Sequence, residues 1–262
     1  MRKNFVLAAA ILFANNLFAQ EKFFVGLSGS VNASGFTYQN NYGQGKMDYD
    51  GLQVSPFFGV FAGASFKKGN QLIIEATQGE YKVNYKANFI AGGGDYRKEV
   101  KLKYTSVPLL YRKIFKIGAE PIKGGHFFVT LGPQISFLNS ANLSQTINGT
   151  PANFTTFVAN ANNPQAAAGI SAALAKLGKL QPDADDLYAK TSIDGIVGMG
   201  MIFPLGKAFK ISAELRGGYA FTDINQKDWQ VKGYEMNEVV DYKTSHPYFG
   251  GLRVGVQYVF GK

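Results

Sequence analysis

Cysteine is absent from the 262 residues, tryptophan occurs once and histidine twice, and after the first twenty residues no stretch is both long and apolar enough for a membrane helix. Each shortage excludes something. Without cysteine there is no disulfide scaffold and no Cys-ligated zinc or iron–sulfur centre. No HExxH, Walker or dinucleotide motif is present, so metal, nucleotide and dinucleotide chemistry lack their usual residues. Charged residues make up only 17% of the chain, against 46% hydrophobic and 14% aromatic, with 31 glycines. A chain this rich in Phe, Tyr and β-branched residues does not stay disordered. The formal charge of +9 invites a nucleic-acid reading until the charge is placed.

The N-terminus sets the compartment. Arg2 and Lys3 precede an apolar run from Phe5 to Ala14, and small residues then lead into "LFAQ". This pattern predicts a secretory signal over residues 1–19, cut after Ala19, and a mature domain over 20–262. The apolar run is about half of the ~20 residues that a spanning helix needs. Secretion removes nucleic acid as a partner.

Along the mature chain the dominant signal is period-two alternation in eight segments: 22–35, 52–66, 71–88, 99–113, 126–138, 191–203, 209–223 and 247–260. In the last, Leu252, Val254, Val256, Tyr258 and Phe260 oppose Arg253, Gly255 and Gln257. In its neighbour, Phe209, Ile211, Ala213, Leu215, Tyr219 and Phe221 oppose Lys210, Ser212, Glu214 and Arg216. One face is continuous grease; the other is small, polar or charged. Soluble and outer-membrane barrels share such alternation, so the polar face has to decide. Glu75, Arg112, Asp194, Glu214, Arg216 and Arg253 sit mid-segment among glycines and serines, where a wet surface carries dense Lys and Glu. Three acids and three arginines suit a cramped interior in which they neutralise one another.

Two further patterns agree. Phe23, Phe66, Phe127, Phe203, Phe209, Tyr258 and Phe260 fall at the strand ends assigned to the periplasm, as an aromatic girdle would. The connections on that side (67–70, 114–125, 204–208) are short, and those on the other (36–51, 89–98, 139–190, 224–246) are long. The expectation is an all-β, eight-stranded, antiparallel up-and-down transmembrane barrel with a long external loop over 139–190. Residues 163–178 of that loop read as a helix, with Ala167, Ile170, Leu174 and Leu177 as its apolar stripe. That helix either caps the barrel mouth, docks a partner or packs on the loop's own neighbours. Two strands resist. In 71–88 the apolar parity changes from Leu72, Ile74 and Ala76 to Tyr81, Val83 and Tyr85, which requires a bulge near residues 78–80 or an outer half beyond the membrane. In 99–113 the polar face is lost, and Pro108 and Pro133 each remove a ladder donor.

The segments "KLKYTSVPLLYRKIF" and "HFFVTLGPQISFL", with Tyr104, Pro108, Leu109, Gly132 and Pro133 at the matching positions, resemble the PorT-like outer-membrane β-barrel family of Bacteroidetes-type bacteria. The likeness continues through "AELRGGYAFTDI" and "GGLRVGVQYVF" and so covers most of the mature chain. It implies a porin-like envelope barrel in a Gram-negative outer membrane. It also implies a terminal aromatic residue, here Phe260, read by the barrel-assembly machinery.

The basic excess falls at the periplasmic rim: Lys22, Lys67, Lys68, Lys113, Lys116, Lys123, Lys207, Lys210 and Lys262, against Glu21 and Glu120. Such a rim either anchors on phospholipid headgroups or is an ordinary solvated flank. His126 and His246 begin strands at opposite membrane faces and cannot share a metal. Asp241, Ser245 and His246 are the best enzymatic constellation, for a small lipid-modifying barrel. Gly92, Gly93, Gly94 and Asp95 read as a phosphate cradle or a plain turn. The expectation is a monomeric, non-enzymatic barrel with a plugged interior and no cofactor, metal or catalytic residue. Its partners are outer-membrane lipids, the assembly machinery and an envelope protein met through the external loops. A soluble periplasmic ligand-binding barrel and a lipid-modifying enzyme are the alternatives.

Overall fold

The computed structural model describes residues 22–38, 47–89, 94–115, 124–151, 171–172, 182–230, 233–235 and 238–261. Eight long strands carry the architecture: β1 Lys22–Phe36, β2 Val54–Phe66, β3 Asn70–Phe89, β4 Gly94–Phe115, β5 His126–Ile147, β6 Thr191–Leu205, β7 Phe209–Ala220 and β8 Pro247–Phe260. Each pairs antiparallel with its sequence neighbours, and β1 closes the ring on β8 from Phe23↔Phe260 to Phe36↔Pro247. Closure is what a lipid environment demands, because an unpaired edge would leave backbone donors and acceptors with no water to meet them. No helix among the described residues is long and apolar enough to cross a membrane; the strands do the crossing.

Turn chemistry explains the close ends. Lys67–Gly69 joins β2 to β3 with Lys68 and Gly69 both at positive φ, and Gly206, also at positive φ, turns β6 into β7. These short connections mark the periplasmic end. The segment 116–123 and the signal over 1–19 lie outside the described residues, as do the Ala167, Ile170, Leu174 and Leu177 stripe and most of the helix at 163–178.

Three expectations need correction. The external loop does not begin at 139, because β5 runs on to Ile147 and β4 reaches back to Gly94, so these strands stand beyond the membrane as a partial wall. The alternation signal failed there because the outward faces change from grease to charge: Arg97, Glu99, Lys101 and Lys103 on β4 face water, while the backbone ladder continues. Of the two readings of β3, the bulge near residues 78–80 is absent and the outer half beyond the membrane accounts for the change of parity. Its pairing to β4 keeps one register from Asn70↔Lys113 to Phe89↔Gly94, and the odd-numbered residues face inward throughout. The bulge lies in β5, where Asn139 is skipped between the pairs Tyr104↔Leu138 and Lys103↔Ser140. Lastly, the strand placed at 209–223 ends at Ala220.

The proline positions do break the ladder. Pairing lapses on β3 opposite Val107 and Pro108, and on β5 between Pro108↔Gln134 and Tyr111↔Leu131. At this pinch a Cβ on Gly132 would come 2.1 Å from the Leu109 carbonyl oxygen, a contact with backbone that no rotamer change relieves. Gly132→Ala is therefore expected to cost about 1–3 kcal/mol, read as a lowered urea midpoint of the folded barrel in detergent. An unchanged midpoint would show that the two strands have slack at the prolines.

Candidate functional site

The site is the barrel interior, and its walls are set by parity. Leu27, Val60, Ile74, Leu131, Val197, Met199, Leu215, Leu252 and Val254 all point outward and are exposed, Leu27 and Leu215 by 67% and 63%. Their ring neighbours Arg253, Glu214 and Arg216 point inward and are buried. A soluble barrel is thereby excluded, since hydrophobic surface of this extent has no place in water. Val254→Arg, at mid-height on β8, is expected to cost about 2–4 kcal/mol in a bilayer, whereas Ser140→Arg on the external wall stays within about 0.5 kcal/mol. Equal effects at the two positions in bilayer unfolding would contradict the lipid-facing assignment.

The girdle residues Phe23, Phe66, Phe127, Phe203, Phe209, Tyr258 and Phe260 share this outward parity at the periplasmic end. Phe23 stacks on Phe260 at 6.2 Å between ring centroids, and Tyr258 lies between Phe209 and Phe260 at 5.2 and 6.2 Å. Phe260 thus lies against the Phe23 ring across the seam that closes the barrel and the Tyr258 ring of its own strand.

Five of the six ionic residues named from sequence meet at mid-barrel. Arg216 grips Glu75 through Nη1 and Nη2 at 2.7 and 3.2 Å, and Glu214 through Nε and the same Nη2 at 3.2 and 3.0 Å. Arg253 donates to Glu75 at 2.8 Å and lies 3.4 Å from Glu214. Arg112 reaches Glu214 at 3.5 Å and Thr130 at 3.3 Å, with its guanidinium 4.1 Å from the Phe128 ring centroid. Gly198 makes room for this layer, because a Cβ there would sit 2.3 Å from Glu214 Oε1. Asp194 lies apart. Its carboxylate accepts from Gln134 Nε2 and Ser136 Oγ, both at 2.7 Å, and from Ser192 Oγ at 2.5 Å. The six residues named from sequence therefore divide into a group of three cations and two anions, and a carboxylate held by neutral donors.

Above Asp194, toward the external end, the interior turns aromatic, which sequence reasoning missed. Phe57, Tyr81, Tyr85, Tyr96, Leu102 and Tyr104 from the strands pack with Leu187, Tyr188, Ile224 and Trp229 from the loops. Tyr81 sits edge-on to Phe57 and Tyr104 at 5.6 and 5.5 Å. The signal was available: Tyr81, Val83 and Tyr85 share the parity of Glu75, while Lys82 and Lys86 alternate with them. A smaller apolar group of Phe24, Phe61, Ile73 and Leu110 fills the periplasmic side. Among the described residues these groups occupy successive levels of the interior, with a small cavity beside Arg216 and Arg253.

The enzymatic constellation is not assembled. Ser245 is buried and its hydroxyl donates to the Tyr38 carbonyl, while His246 Nε2 meets Thr244 Oγ1 at 3.1 Å and its ring stacks on Tyr219. No hydrogen bond joins Ser245 to His246 among the described residues. Nor does any cluster of three His, Cys, Asp or Glu there have metal-ligand spacing. Gly92 and Gly93 lie outside the described residues; Gly94 pairs with Phe89 at the start of the β3–β4 ladder. At the outer rim Asp223 accepts from Tyr242 at 2.8 Å, from Gln230 at 3.1 Å and from the Asn225 amide at 3.0 Å, tying the loop after β7 together. Burial, and then the Asp223 carboxylate beside it, push the Tyr242 phenol above its ordinary range.

No curated protein matches the chain. Among solved structures, neisserial surface protein A is 15% identical, with 91% of this chain and 97% of that one covered at a TM-score of 0.41. OprG from Pseudomonas aeruginosa is 9% identical, with 93% and 97% covered at 0.43. Ail from Yersinia pestis is 12% identical, with 90% and 98% covered at 0.35. The family model described as "Outer membrane protein beta-barrel domain" matches residues 18–226, most of the sequence, and the chain belongs to that family of outer-membrane β-barrels.

Proposed function

We propose that the protein is a non-enzymatic anchor with a sealed interior, whose external wall and loops form a platform for an envelope partner. The observation that carries this reading is the filling: among the described residues an ionic layer occupies mid-barrel and an aromatic core lies above it. The wall of β3, β4 and β5 beyond the membrane adds a stage for the loops, and Asp223 braces one of them. Delivery by a signal cleaved after Ala19, a mature domain over 20–262, a single-copy barrel and kinship with PorT-like barrels belong to the same proposal. So do assembly guided by Phe260 and lipid contact at the lysine rim.

Two measurements test it together. In planar bilayers the mature protein is expected to give no stepwise conductance. In cells a photo-cross-linker at exposed Lys227 is expected to give a discrete protein adduct, and one at lipid-facing Leu27 is not. Stepwise conductance would make the protein a pore, and absence of adducts at Lys227 and its loop neighbours would remove the platform.

A further inference from the structure

Near its external end the wall between β1 and β3 is not a continuous ladder. β2 pairs with β3 only as far as Phe57↔Gly79, because the next residue, Pro56, has no N–H to give. On its other side β2 follows β1 to Ala33↔Val54. Gly51, Leu52 and Gln53 then belong to no strand, and contact with the β3 backbone resumes at Asp50, Tyr49 and Asp48. Side chains close the break. Ser34 Oγ on β1 accepts from the Lys82 amide at 3.1 Å and donates to the Lys82 carbonyl at 3.2 Å. The Tyr49 hydroxyl accepts from the Phe36 amide at 3.2 Å and donates to the Phe36 carbonyl.

A cleft of about 620 Å³ lies at this break. Leu52, Tyr248 and Gly250 line its exposed end; Val83 and Phe249, which face inward, line its buried end. There Phe249 packs on Phe57 and Tyr81 of the aromatic core. Height and chemistry identify what fills the cleft. Tyr248 pairs with Tyr219, both outward and exposed, at the interface edge of the lipid-facing belt, and Gly250 and Leu252 follow toward the midplane. The cleft therefore opens where acyl chains begin. Its polar side chains are already engaged: Ser34 and Tyr49 as above, and Gln53 Nε2 on the Asp50 carbonyl at 3.4 Å. A polar ligand would find little to bind, and at about 30 Å³ each the many waters needed to fill the space would lack the polar partners that hold them. Apolar contact is what the remaining lining offers.

We propose that this cleft holds one acyl chain of an outer-leaflet lipid, with the end of the chain against Val83 and Phe249. The site is separate from the loop platform and stands whether or not a protein partner docks there. The test uses the mature barrel in phosphatidylcholine vesicles that contain a phosphatidylcholine with a diazirine at the end of one chain. After irradiation, peptide mass spectrometry is expected to find adducts on Val83 or Phe249 as well as on the outward residues Leu252 and Val254. Adducts on the outward residues alone overturn the proposal. Gly250→Phe then tests the route. A Cβ on Gly250 would meet no atom within 4 Å, so a ring has room there and the variant is expected to keep its heat-modifiable gel mobility. Because the ring would crowd the cleft, adducts on Val83 and Phe249 should fall about tenfold, with those on Val254 unchanged. Yields at the inward residues equal to those of the unsubstituted barrel also overturn the proposal, since the chain would then enter elsewhere.

Discussion

Glu214→Ala is expected to destabilise the barrel by about 3–5 kcal/mol, the range for breaking a buried ion pair by removing one partner. Glu214 is fully buried and is the carboxylate that all three arginines reach. Its removal leaves Arg112 with Thr130 and the Phe128 ring alone, and leaves Glu75 to answer three guanidiniums. None of the arginines can shed its proton to escape. Asp194→Asn makes the contrast: its partners are neutral donors, an amide still accepts from one or two of them, and the expected loss is about 1–2 kcal/mol. Urea unfolding of both variants in micelles, followed by the heat-modifiable gel band, checks the order. A larger loss for Asp194→Asn than for Glu214→Ala would mean that the five-residue layer does not hold the barrel together.

The different fates of these acids show what a sequence can carry. Parity placed Glu75, Asp194, Glu214, Arg216 and Arg253 on the inner face, because side-chain direction in a strand has a fixed period of two, whereas Arg112 followed only from its place within a strand and the balance of charge. Which of them touch is a matter of strand stagger around a closed ring. Arg216 and Glu75 are 141 residues apart, and no local rule relates them. The strand ends failed for a different reason. Inside the membrane an outward residue must be apolar, so the pattern is sharp there. Above it, Arg97, Lys101 and Lys103 are as acceptable on a strand as in a loop, and the ladder of β4 and β5 continues without an amphipathic signature. The aromatic core was hidden by the same inversion: at Tyr81 and Tyr85 grease turns inward because water, not lipid, now lies outside.

Tyr81→Ala tests which level seals the barrel. The ring contacts Phe57, Tyr104 and Phe249 at 5.6, 5.5 and 5.9 Å and is only 4% exposed, so its loss is expected to cost about 3–5 kcal/mol through the space it leaves. Conductance should nonetheless stay absent, even in the Tyr81→Ala, Tyr104→Ala double variant. Beneath the rings, Gln134, Asp194 and the arginine–glutamate layer still span the interior, and each is bound from more than one strand. An ion crossing there would have to part charge-assisted pairs in a low-dielectric medium, a step far less favourable than displacing a ring. Stability and permeability are therefore expected to separate: the aromatic level governs the first, and the ionic level is sufficient for the second. Stepwise currents from the double variant, with its barrel still heat-modifiable, would transfer the seal to the aromatic level and make the loops around Trp229 a gate instead of a platform.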